Sequence, residues 1–296
     1  MRTPDLKDTT MATPITIRAS DGYLLEANRF EAQGELRGHL VVAGATGVPQ
    51  GFYRRFADYA AARGYAVTTF DYRGIGRSAP PSLAGFDADF LDWARLDLAA
   101  VIDSAPHGAA PLLLAGHSFG GQALGLLPNH ARVAGLAAFG TGAGWHGWMP
   151  PLERLKVHFM WRIAGPWLVW RHGYLAWSRI GMGADVPRGV YRQWKGWCRF
   201  PRYFFGDPAM RETALGFARV TTPIVAYNAL DDRWAPPASR DAFMAGYSGA
   251  PVKPVDVADL KLGHMGYFRP HAQPLWDAAL DWFDALVAER AVRATD

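Results

Sequence analysis

The sequence predicts an α/β fold, a mainly parallel sheet flanked by helices on both faces, with a largely helical segment inserted towards its middle. Three observations carry this reading. Apolar runs of strand length alternate with stretches of helical periodicity, the order that crossover connections between parallel strands require. The run PLLLAGHSFGGQALGLL, residues 111–127, passes from one apolar segment to the next with only Gly116-His117-Ser118-Phe119-Gly120 between them. And the segment 141–212 departs in composition from everything around it.

The elements follow in order. Ile15 and Ile17, then Leu24 and Leu25, alternate about the Asp21-Gly22 turn signal and read as a hairpin behind a polar tail over 1–14. HLVVAG, from His39, is a buried-type strand that runs into a glycine-rich loop. Phe52, Phe56, Tyr59 and Ala60 share a helix face, and Gly64 stands where a helix stops. GYAVTTFD is the next strand, and Phe90, Leu91, Ala94, Leu98, Val101 and Ile102 give a helix with one apolar face. After PLLLAG comes the bend at Ser118, a helix through Leu127, and the strand VAGLAAFG. PIVAYNAL is a strand, 237–247 a helix, and VKPVDVADL a strand interrupted early by Pro254. A helix bearing Leu275, Trp276, Ala279, Phe283, Leu286 and Val287 closes the chain. The core is thus expected over 15–140 and 213–296.

Composition narrows the function classes. Half the residues are hydrophobic and 20% are charged, as in an ordinary globular protein with a large core. The single cysteine, Cys198, permits neither an intrachain disulfide nor a cysteine metal cluster and reads as a packing residue. The N-terminal residues lack the apolar core of a secretory signal, and no run of about 18 apolar residues occurs, so a cytoplasmic setting is expected. Net charge is +4, yet residues 151–202 hold ten Lys or Arg against Glu153 and Asp185, a local excess of +8. Six of the twelve tryptophans also fall there.

A serine between two glycines at a strand-to-helix junction has a physical reading. The backbone must reverse within a residue or two, which leaves Ser118 exposed on a strained bend while the glycines relieve the clashes. A serine hydroxyl becomes a nucleophile only when a base takes its proton, and that base needs a carboxylate to fix its tautomer. Downstream, one strand ends in Asp231-Asp232 and the last strand ends in KLGHMGYF, which carries His264. The chain order Ser, Asp, His is that of one such template.

These residues resemble the α/β-hydrolase superfamily. The resemblance rests on Gly116-His117-Ser118-Phe119-Gly120-Gly121, the loop Asp71-Tyr72-Arg73-Gly74-Ile75-Gly76-Arg77-Ser78, Asn228 through Pro236, and Gly263-His264. It covers roughly 15–140 and 220–290 and is nearest to esterase-like and serine-aminopeptidase-like members with an inserted cap. It implies Ser118 as nucleophile, His264 as base and Asp232 as the acid, since Asp232 stands four residues before Pro236. Asp231 would then shape the turn. It further implies an oxyanion hole from the Phe119 amide and that of Ala45 or Thr46, although Ala43-Gly44 replaces the His-Gly common at that loop. His117 is expected to point inward as a packing residue, and Asp71 and Arg73 to support their loop.

The expected reaction is hydrolysis of a carboxylic ester or related acyl bond, with no organic cofactor and no metal. An acyltransferase or thioesterase would use the same triad, as would a cofactor-free haloperoxidase, and a non-catalytic receptor would use the same capped pocket. The substrate is expected to be a small molecule, apolar or anionic, with Trp145, Trp148 and Trp234 as candidate contacts. The basic segment suits an anionic ligand or peripheral membrane contact, and no nucleic-acid-binding motif is present.

Overall fold

The computed structural model describes residues 12–295, with side chains described through Arg290. The expected polar tail lies outside the described residues up to position 11, and Thr13 and Pro14 already belong to the first strand. Eight strands form one sheet: β1 Thr13–Arg18, β2 Leu24–Phe30, β3 Gly38–Ala43, β4 Tyr65–Phe70, β5 Leu112–His117, β6 Val133–Phe139, β7 Ile224–Ala229 and β8 Val252–Val257. Their order is β1-β2-β4-β3-β5-β6-β7-β8. The pairs β1–β2 and β2–β4 are antiparallel, and every pair from β4 to β8 is parallel.

Strands β3, β5, β6 and β7 are buried on both sides, whereas β4 is partly exposed on one face and the edge strand β8 is partly exposed along its length. Residues of the buried strands divide between two cores by the period of two that a strand imposes. Val41, Ala43, Leu112 and Leu114 face one core, which also takes Phe90, Trp93, Leu98 and Ile102. Leu40, Val42, Leu113 and Ala115 face the other, filled by Tyr53, Phe56, Trp276 and Phe283. The second core lies under α1 Arg54–Ala62 and α10 Gln273–Thr295. The first lies under α2 Phe90–Asp92 and α3 Ala99–Ser104, joined by a π-helical stretch over Trp93–Leu98. Asp89 starts this rod with a reciprocal capping box to Asp92.

Two expectations about elements are corrected. The helix after Ser118 does not run to Leu127: α4 is only Phe119–Gln122, followed by a 3-10 turn over Leu124–Leu126. Gly120, Gly121 and Gly125 weaken it as a helix, and a Cβ on Gly125 would lie 2.4 Å from the Phe217 ring. Nor does Pro254 interrupt β8; the strand runs through it, paired only to β7. An edge strand tolerates a residue without an N–H because one side of its ladder is unpaired.

Between β6 and β7 the chain forms α5 Pro151–Phe159, α6 Gly165–His172, α7 Arg188–Trp197 and α8 Arg211–Phe217. The boundary expected at 212 falls inside α8. After β7, α9 Pro237–Met244 leads to the last strand. The loops after β3, β5, β7 and β8 all emerge at the carboxyl edge of the parallel strands, where α/β sheets place their sites.

Candidate active site

Ser118 follows β5 directly and has φ 51° and ψ −110°, one of two non-glycine residues at positive φ among those described. Such a conformation costs of order 1–3 kcal/mol and persists only where its surroundings impose it. Here the Ser118 N–H donates to the Phe139 carbonyl at 2.9 Å, which ties the bend to β6. The flanking glycines are obligatory by close approach. A Cβ on Gly120 would lie 2.1 Å from the Ala43 carbonyl oxygen, and one on Gly116 would lie 2.5 Å from the Gly121 backbone.

The bend brings the Ser118 Oγ to 3.1 Å from His264 Nε2. His264 Nδ1 in turn lies 2.9 Å from Asp232 Oδ2 and 3.2 Å from Oδ1. Asp232 is itself firmly held. Its Oδ1 accepts the Trp234 and Ala235 amides, both at 2.9 Å, and its Oδ2 accepts the Tyr267 hydroxyl at 2.9 Å. Asp232 is 1% exposed. Burial alone would raise its pKa, but the His264 charge and these hydrogen bonds outweigh burial and hold it below the usual carboxylate value. For His264 the balance runs the other way: burial opposes the charged ring, and the Asp232 carboxylate raises its pKa above 6.5 all the same.

Asp231 does not reach the imidazole. Its Oδ1 accepts the Leu262 and Gly263 amides at 3.2 and 3.0 Å, so it fastens the loop that presents His264. Asn228 is fully buried beneath the acid and donates to the Thr141 and Ala235 carbonyls at 3.1 and 2.7 Å. Asp71 accepts the Gln50 and Arg77 amides, and the Arg73 guanidinium and amide bind Asp97, so both residues are tied into the framework of their loop.

A cavity of about 490 Å³ opens above this row. Ser118 and His264 lie at its floor with Ala45 and Thr46, and Phe52, Trp177, Met182, Trp194 and Trp234 wall it. A family model described as the alpha/beta hydrolase family matches residues 40–273. The chain belongs to this family.

Solved structures agree with the fold of this alpha/beta hydrolase. A soluble variant of monoglyceride lipase from Saccharomyces cerevisiae, in complex with a substrate analog, is similar at a TM-score of 0.68 and 15% identity, covering 96% of this chain and 99% of that one. A hydrolase from Pseudomonas aeruginosa is similar at 0.56 and 19% identity, with 91% and 97% covered. The thioesterase domain from the curacin biosynthetic pathway is similar at 0.58 and 13%, with 91% and 99% covered. No curated protein matches the chain.

The structure distributes the remaining site candidates of this alpha/beta hydrolase unevenly. Trp234 lines the cavity and its ring stacks on His264 at 6.2 Å, whereas Trp145 and Trp148 are not among the lining residues. Trp148 donates to the Pro201 carbonyl at 2.9 Å and packs edge-on to Trp145, outside the cavity. Their places are taken by Trp177 and Trp194, which the segment between β6 and β7 turns inward. The Ala45 amide, one of the two alternatives for the oxyanion hole, donates to the Tyr53 hydroxyl at 2.7 Å. No such partner takes the Thr46 or Phe119 amide among the described residues.

Two residues of the site carried no recognised signal. Tyr267 braces Asp232, and Tyr53 links Ala45 to His117 Nδ1 over 3.0 Å. His117 is buried, but it does more than pack: its Nε2 lies 2.9 Å from the His264 carbonyl. Burial, and then the neighbouring His264 charge, push its pKa down to about 3, so it is a neutral ring. Cys198 is buried, and burial alone raises its thiol pKa. Among the described residues no group of three or more His, Cys, Asp or Glu is arranged to hold a metal ion.

Proposed function

We propose that this alpha/beta hydrolase cleaves carboxylic esters, or closely related acyl bonds, through an acyl-enzyme on Ser118. The observation that carries the reading is the continuous hydrogen-bonded row from Ser118 Oγ through the His264 ring to buried Asp232, at the floor of an apolar cavity. Ser118 Oγ attacks the acyl carbon while His264 Nε2 takes its proton. Asp232 keeps Nδ1 protonated and stabilises the imidazolium. The tetrahedral oxyanion is held by the Phe119 and Thr46 amides, each such donor being worth ~3–4 kcal/mol of barrier. The imidazolium then protonates the leaving oxygen, and water repeats the sequence on the acyl-serine to release the acid.

The helices between β6 and β7 act as a cap in this reading. Trp177, Met182 and Trp194 from that segment complete the cavity wall with Phe52 and Trp234, which favours an apolar acyl or aromatic group. Arg269, also in the lining, offers a cation there and would suit an anionic group.

A fluorophosphonate probe tests the reading directly. The wild-type chain is expected to be labelled and the Ser118→Ala chain to remain unlabelled. A wild-type chain that resists the probe and turns over no member of a nitrophenyl ester series would instead make the cavity a receptor site.

A further inference from the structure

Residues 151–172 form one helical rod, in which a π-helical stretch over Met160–Ala164 joins α5 to α6. Pro166 lacks the N–H that an α-helix would use at that point, which accounts for the local widening. The inward face of the rod carries Val157, Trp161, Gly165 and Leu168, all buried. Trp161 packs edge-on to Trp194 at 5.0 Å, and Trp194 is a wall of the cavity. The rod is therefore one side chain removed from the site.

Its outward face is also apolar. Leu152, Leu155, Phe159, Ile163, Trp167 and Trp170 follow one another at steps of three or four residues and are each 55% to 79% exposed. That spacing sets them in one row along the rod. An ordinary surface helix has polar residues here, because leaving six large apolar side chains in water forfeits most of what their burial would contribute. Nothing among the described residues covers the row. The ionisable residues of the rod itself are almost all basic: Arg154, Lys156, Arg162 and Arg171 are exposed, and Glu153 is the single acid of residues 151–172. Glu153 is engaged by Trp234 and Lys156, and no acid pairs Arg162 or Arg171 among the described residues.

We infer that this row docks on an anionic phospholipid surface. Leu, Ile, Phe and Trp on one face with Arg and Lys beside them is the composition of a helix lying in the plane of a bilayer, its apolar side sunk into the headgroup boundary. The unpaired arginines supply the attraction to anionic headgroups. A second copy of this chain fits less well, since a two-fold contact would set the same basic row against itself. The rod does not cross the bilayer: no helix among the described residues is long and apolar enough to do so. Docking of this kind is independent of Ser118 and stands whether or not the ester reading does.

Co-sedimentation of the full chain with vesicles tests it, using Ser118→Ala so that no lipid is consumed. The chain is expected to pellet with vesicles of phosphatidylcholine mixed with phosphatidylglycerol, more weakly with phosphatidylcholine alone, and less at ~1 M than at ~0.1 M salt. Adding Trp167→Ser and Trp170→Ser should abolish pelleting, and Arg162→Gln with Arg171→Gln should weaken it by roughly 30-fold. All four side chains are exposed, so circular dichroism and melting should not change. A chain that stays in the supernatant with every vesicle, or pellets equally after both pairs of substitutions, overturns the proposal. So does a dimer in vesicle-free solution that the tryptophan substitutions dissociate, which would assign the row to a second copy.

Discussion

The Ala45 amide donates to the Tyr53 hydroxyl over 2.7 Å, deep in the core. With its lone pair so engaged, the phenol directs its own proton to His117 Nδ1, which leaves the Nε2 proton of that ring for the His264 carbonyl. One chain of hydrogen bonds thus fixes the loop after β3, the residue before Ser118 and the backbone of His264. Tyr53→Phe would leave the Ala45 donor and the His117 acceptor unpaired in the interior. The expected cost is about 1–3 kcal/mol of stability, with a fall in kcat for ester hydrolysis, read by urea denaturation and steady-state kinetics. A variant as stable as the parent would show that this relay contributes nothing.

Ser118→Ala and His264→Ala should each abolish ester turnover while the fold survives. Since the two side chains act as a unit across 3.1 Å, the double variant should be hardly slower than either single one. Losses in kcat that add would separate the two residues mechanistically.

Asp232→Asn should lower kcat by orders of magnitude, because an amide can stabilise the wrong tautomer of His264 and cannot balance its charge. Asp231→Asn should act mainly through the loop it fastens at Leu262 and Gly263, with a much smaller loss. The reverse order in kcat would transfer the acid role to Asp231.

The pH profile follows from the same pair. His264 serves as base only when neutral, and its pKa is raised above 6.5 by Asp232 against the opposing effect of burial. The acidic limb of kcat/KM should therefore have its midpoint above pH 6.5 and fall about tenfold per unit below it. In Asp232→Asn the effect of burial remains and the carboxylate is gone, so the midpoint of the residual activity should move to lower pH. A limb that stays where it was would mean that another group controls it.

Acyl selectivity should respond to the walls of the cavity. Trp194→Ala should shift the preferred nitrophenyl ester towards longer or bulkier acyl groups, while Trp145→Ala should leave the preference unchanged, because only Trp194 lines the site. For charge, Arg269→Gln should reduce the advantage of an anionic ester and its sensitivity to salt more than Arg188→Gln, Arg192→Gln and Lys195→Gln together, none of which lines the cavity. Equal responses from the two sets would make the attraction a property of the whole surface.

What was legible in the sequence had a local cause. Strands β3, β5, β6 and β7 are buried on both faces and so appear as apolar runs, and Ser118 is marked by the glycines its bend needs. Asp231 and Asp232 follow the buried strand β7, and His264 follows the edge strand β8. The limits were equally physical. Tyr53 and His117 are 64 residues apart and Tyr267 and Asp232 are 35 apart, so no spacing announces either hydrogen bond. Trp145 and Trp148 differ from Trp177 and Trp194 only in how the helices between β6 and β7 pack, which no period in the sequence fixes. Pro254 looks like a break in the sequence because the edge position of β8, which lets a strand carry it, depends on the order of the whole sheet.

For an engineer, the bend at Ser118 divides the site into a part that accepts change and a part that does not. At Gly116, Gly120 and Gly121 an added methyl would meet a neighbouring atom at 2.5, 2.1 and 2.0 Å, and the first two of those neighbours are backbone. Libraries randomised there would return mostly misfolded chains. Trp177, Met182 and Trp194 line the same cavity from the segment between β6 and β7, so new specificity should be sought there, with the floor of the site left as it is.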